Sequence, residues 1–179
     1  MQASKLNWGK NLETKVYNDV SVPTIEIIKL IGREMDRLLE NPNQKLGISV
    51  PGTFPGSMHE SKSRWNADRY TLAGVSDYAD KFVEQVRSGI SDIELSADAQ
   101  DWDEAKVKKI RATIEKDVAL HVKDFVGVLT KYERSFDGMR SYATLLGEVT
   151  MMCNELRLIT AALGNHISLL RVLGETARD

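Results

Sequence analysis

From Val107 to Leu170, apolar or small residues return every three or four positions with hardly a gap. The series runs Val107, Ile110, Ile114, Val118, His121, Phe125, Val128, Tyr132, Phe136, Met139, Ala143, Leu146, Val149, Cys153, Leu156, Thr160, Leu163, Ile167 and Leu170, a mean step of about 3.5 residues. That step is the period of a helix seam that faces other helices. No proline follows Pro55, so nothing in the last two thirds of the chain forbids long helices. The expected fold is all-α, an elongated helical bundle or a coiled-coil hairpin. Such a seam speaks of packing and assembly; it carries no catalytic signature.

The bulk properties narrow the class further. A chain of 179 residues, 42% hydrophobic and 28% charged, is long enough to bury a core and too apolar for a disordered tail. Its net charge of -2 gives no general reason to bind nucleic acid, whose phosphates call for a basic face. A lone cysteine, Cys153, rules out an intramolecular disulfide. The opening residues MQASKLNWGKNLETK hold no apolar signal core, and the strongly apolar run Ile25–Ile31, broken by Glu26 and Lys29, is too short to span a bilayer. The expectation is a soluble protein made in the cytoplasm, with no transmembrane segment. A leaderless export route would leave no trace in these statistics.

Along the chain, residues 1–21 are polar with scattered anchors at Leu6, Trp8, Leu12, Val16 and Tyr17. Leu12 and Val16 leave room for a short helix, but a flexible arm is expected, followed by one helical domain over 22–179. Ser21 as a cap and Pro23 in a first turn predict a helix start, with Ile25, Ile28, Ile31, Met35, Leu38 and Leu39 on one face and Asn41-Pro42 at its end. Residues 41–66, which contain Pro51-Gly52-Thr53-Phe54-Pro55-Gly56, read as a long loop. Helical pattern returns with Trp65–Leu72 and more clearly from Ser76. The Ser88-Gly89 pair predicts an end to that helix, and Ile90–Leu95 a short strand or turn.

The seam over 103–173 has two readings. Asp137-Gly138 is a turn signal near its centre, and a reversal there makes two antiparallel helices of about 45–50 Å each. Continuity would give one rod approaching ~100 Å, and Phe136 and Met139 stay in phase across the site. A hairpin or kink is the expected form, since a globular domain rarely needs so long a rod.

Candidate chemistry is thin. His121 and Cys153 share the seam, but a small core thiol and a packed histidine explain them better than a nucleophile or a metal site. His59, His121 and His166 lack zinc-ligand spacing. The acidic group Asp98, Asp101, Asp103 and Glu104 is not an EF-hand: from Asp98, the sixth and twelfth places hold Asp103 and Lys109 rather than glycine and glutamate. Carboxylates at a helix start account for it. Neither a phosphate loop nor a dinucleotide fingerprint is present. No catalytic, cofactor-binding or metal residue is assigned, and no cofactor is expected.

The stretch from Ser76 to about Leu146 resembles type III secretion needle-tip and translocator-filament proteins. The matching pieces are Asp77–Arg87, then Ser91-Asp92-Ile93-Glu94-Leu95, then Val107-Lys108-Lys109-Ile110-Arg111-Ala112-Thr113-Ile114 and Leu129-Thr130-Lys131-Tyr132. The likeness covers under half of the chain. It implies a leaderless exported protein that self-assembles at a needle end.

The functional expectation is a non-enzymatic helical assembly or protein-interaction protein that binds a protein partner, a second copy, or both. Phe125, Leu146, Leu156, Leu163 and Ile167 are its seam contacts, and His59, Arg64 and Trp65 in the 41–66 loop are a second contact surface. One alternative is a small helical enzyme or ligand-binding bundle using that loop, with His59, Glu60, Arg64, Asp68 and Arg69 around a pocket. A further alternative is an inhibitor or chaperone-type binding module.

Overall fold

A computed structural model describes the backbone of residues 2–40 and 54–176, and the side chains of 8–40 and 72–175. The chain forms α1 (Gln2–Glu40), α2 (Phe54–Ala99), α3 (Glu104–Phe136) and α4 (Tyr142–Thr176), with no strand among the described residues. The all-α expectation holds. Buried residues of all four helices join in one core.

α1 corrects the expected arm. Val16, Val20, Ile27, Ile31 and Leu38 are buried along a single helical face, so the segment before residue 21 belongs to the packed helix. Neither Ser21 nor Pro23 starts it: Ser21 is buried in mid-helix and Pro23 lies inside. An interior proline costs roughly 3 kcal/mol because it lacks an N–H and crowds the preceding turn. Burial on both sides of Pro23 outweighs that cost. Beside it, the Thr24 hydroxyl donates to the Val20 carbonyl at 2.7 Å.

α2 corrects two further expectations. Of the expected 41–66 loop, residues 41–53 lie outside the described residues, and from Phe54 the backbone is already helical. The helix also passes through Ser88-Gly89 and Ile90–Leu95 without a break, because Phe82, Val86, Ile90, Ile93 and Ala97 form one buried stripe. Gly89 is there for space: a Cβ at this position would stand 2.2 Å from Ile167 Cγ2 of α4.

The α2–α3 connection is a tight helix-ending motif. The Trp102 amide donates to the Ala97 carbonyl at 3.0 Å while Asp101 takes φ 53°, the left-handed conformation of a Schellman cap. Trp102 and Ala97 are both buried, the apolar contact that goes with this cap. Asp103 then caps α3, its carboxylate accepting from the Lys106 amide at 2.7 Å, as the acidic helix-start reading expects.

The long seam is a hairpin. Gly138 has φ 69° in the turn after Phe136, and the Ser141 hydroxyl accepts from the Thr144 amide to begin α4. Lys131–Glu155 at 3.0 Å and His166–Asp117 cross the antiparallel pair. α1 and α3 run in the same direction: Trp8 bonds Glu115 near one end and Arg37 bonds the Met139 carbonyl near the other. α2 and α4 are also parallel, with Gly74 against Cys153 and Gly89 against Ile167. The helices therefore stand around the bundle in the order α1, α2, α4, α3, and the short α2–α3 connection crosses the diagonal. Phe82 and Phe125 meet edge to face across that diagonal, with ring centroids 5.3 Å apart.

Candidate functional site

Three places gather chemistry or exposed apolar surface. The first lies on the α3–α4 hairpin. His121 Nδ1 is 2.7 Å from the Asp117 carbonyl one turn earlier, so this nitrogen carries the proton and donates. The Asp117 carboxylate bonds His166 Nε2, and the two imidazole centroids are 6.2 Å apart. The three groups lock α3 to α4. Among the described residues, no three His, Cys, Asp or Glu side chains are placed to hold a metal ion. Cys153 faces Gly74 of α2, and burial raises its thiol to about 11, far from a reactive thiolate. It acts as a packing group.

The second place is a groove of about 410 Å³ between α1 and α3. Leu12, Val16, Val118 and Val122 form its floor, while Lys15, Asp19 and Glu115 stand at the rim. Trp8 closes one end, where its indole N–H donates to Glu115 and the Arg111 guanidinium lies 4.9 Å over its ring. Arg111 is itself held by Glu94 at 3.1 Å. Sequence reasoning missed this groove because it treated residues 1–21 as an arm.

The third is the outer face of α4. Met151 is 55% exposed, Leu158 59% and Leu169 52%, with Val172 and Leu173 also exposed. From Leu158 through Leu170 there is no Asp, Glu, Lys or Arg. By length and composition α4 is apolar enough to cross a membrane, although Glu148, Glu155 and Arg157 interrupt its apolar runs. Leu95, near the end of α2, adds a further exposed apolar side chain at 64%.

The residues expected as contacts sit elsewhere. Phe125, Leu156, Leu163 and Ile167 are buried in the chain's own core, and Leu146 is half-buried against it. The side chains of His59, Arg64 and Trp65, and of Glu60, Asp68 and Arg69, lie outside the described residues. The signal that would have found the outer face was a second stripe on the same helix, offset from the seam by about half a turn.

Comparison with known proteins returns no matching family model, no similar curated protein and no similar solved structure. Among the described residues, the molecule is thus defined by its own geometry: an all-α bundle of four long helices with an apolar outer face on the last.

Proposed function

We propose that this protein works by association, as a non-enzymatic helical assembly or protein-interaction protein whose contact surface is the outer face of α4. One observation carries the reading: Met151, Leu158 and Leu169 are more than half exposed on a helix whose opposite face is core. Single exposed leucines need no explanation, but three large apolar side chains in line on one helix face, two of them within the charge-free stretch 158–170, favour an interaction surface. Burying apolar area there stabilises a complex by about 25 cal/mol per Å², before the cost of association. The test is light scattering of the purified chain over a range of concentrations. Association predicts a mass that rises above 20.1 kDa with concentration, or in the presence of a binding partner. A constant mass of one chain, with no partner found, opposes it.

A tip or filament component of a secretion apparatus is the narrower form of this proposal, and the α3–α4 hairpin is the feature that supports it. The α1–α3 groove favours a second reading, a ligand-binding bundle, since its volume of about 410 Å³ is in the range of small-molecule sites. A thermal shift with a small molecule, lost on Ala119→Trp, which fills the groove from an exposed lining position, would support that reading over association.

A further inference from the structure

We infer that the outer face of α4 pairs with the same face of a second copy of this chain, antiparallel, about a two-fold axis level with Ile159 and Thr160. The inference rests on the association reading and gives it a partner and a register. On this face Gly147, Asn154, Ala161 and Ser168 recur every seven residues, with Met151, Leu158, Asn165 and Val172 interleaved, also every seven. All eight are exposed. In an antiparallel pair of helices each member of one set stands opposite a member of the other. Met151 then meets Ser168 of the second copy, Leu158 meets Ala161, Val172 meets Gly147, and Asn154 meets Asn165. Three levels set a large side chain over a small one, and the fourth sets amide against amide. A parallel pair would instead face Gly147 with Gly147 and Ala161 with Ala161, leaving gaps, and crowd Met151 against Met151.

Two further observations agree. Gly147 lies inside α4, where glycine costs about 1 kcal/mol relative to alanine. A Cβ there would meet nothing within 4 Å, as at Gly32 and Gly127 but unlike Gly89 or Gly174, so its own chain gives no packing reason for glycine. Close approach of the second copy's helix supplies one. The charges are also compatible: bordering Glu155 and Arg171 already face Lys131 and Asp92 of the same chain, at 3.0 and 3.9 Å. The seams themselves are neutral over about 38 Å, and the exposed Arg157, near the two-fold axis in both copies, stands at their edge, where its long side chain keeps the guanidinium in water. A bilayer fits less well. Leu145, Val149, Met152, Leu156 and Leu163 on the other face carry the bundle core, so membrane crossing would require the bundle to open.

The experiment uses Met151→Cys and Ser168→Cys, each in a Cys153→Ser chain and one of them tagged, oxidised mildly alone and after mixing. In the antiparallel pair, equivalent positions are about 25 Å apart along the axis, beyond disulfide reach, which needs Cα atoms within about 7 Å. Each variant alone should stay uncrosslinked, and the mixture should give only the mixed disulfide. Self-crosslinking of each variant alone would overturn the register in favour of a parallel pair. A mixture that fails to crosslink overturns it too. If a multimeric mass then persists and Leu158→Glu dissolves it, association through this face survives and only the antiparallel pair fails. Gly147→Leu should abolish the dimer while leaving the melting temperature unchanged or higher when both chains are measured below the association range; a dimer that tolerates it contradicts the proposal. Co-sedimentation of the wild-type chain with phosphatidylcholine vesicles, without crosslinking in solution, would overturn it for a membrane.

Discussion

The two faces of α4 are both apolar, and they behave oppositely. Leu145, Val149, Met152, Leu156 and Leu163 have no exposed surface, whereas Met151, Leu158 and Leu169 are more than half exposed. Leu156 and Leu158 are two residues apart, roughly 200° around the helix, and have opposite fates. The difference teaches that the strongest periodic signal in this chain is consumed by folding. A helix spends its first apolar stripe on its own bundle, so a functional surface is better sought in whatever apolar pattern is left over.

Substitutions on the two faces can break that distinction. The largest effect is expected for Leu163→Ala, which should destabilise the fold by about 2–5 kcal/mol through lost transfer energy and a cavity. Leu158→Ala, measured below the association range, should stay within about 0.5 kcal/mol of wild type. Equal losses in chemical denaturation would erase the contrast between the faces. Gly89→Ala comes next, at about 1–3 kcal/mol, because the new methyl collides with Ile167 on the inner face. Combining it with Ile167→Ala, which removes the Cγ2 that the new methyl meets, should cost less than the sum of the two single substitutions.

Smaller effects sharpen the same contrast. Gly147→Ala on the outer face should raise monomer stability by up to about 1 kcal/mol, through helix propensity alone. Asp101→Gly should gain about 1 kcal/mol by relieving the left-handed conformation of the α2 cap. The smallest effect is pH-dependent and sits at the border between the faces. The Tyr132 hydroxyl beside Glu155 and the Lys131 ammonium, 3.0 Å from its Oε1, hold its carboxyl below the ordinary range. A carboxyl lowered by folding contributes stability above its unfolded value of about 4.3, and the contribution disappears as pH falls through the lower folded value. Glu155→Gln should therefore lower the denaturation midpoint by a small, constant amount between pH 6 and 8, and the gap to wild type should close as pH falls through that acid range.

Much of the fold was legible because several signals agreed. The seam marked the helices, the acidic group 98–104 marked a helix start, and Asp137-Gly138 tipped the two readings of the seam toward the hairpin that forms. Glycine and proline elsewhere did not. Gly89 follows serine as a helix-ending glycine would, yet it serves the close approach of Ile167. Pro23 resembles a first-turn proline, yet buried Val16 and Val20 before it and Ile27 and Ile31 after it hold the helix through. Neighbours from other helices decide both cases, and they are invisible along the chain. The outer face was written in the sequence at Met151, Leu158 and Leu169. It was masked by the stronger stripe, since a face is known to be outer only once the core is placed.

The most direct test sets Leu156→Asp beside Leu158→Asp, measuring circular dichroism melting and light-scattering mass at one concentration. Leu156→Asp should abolish cooperative folding. Leu158→Asp should keep the helical spectrum and the monomer's melting behaviour while losing the associated species of the wild-type chain. A Leu158→Asp chain that unfolds like Leu156→Asp, or that associates like wild type, would contradict the assignment of the outer face to association.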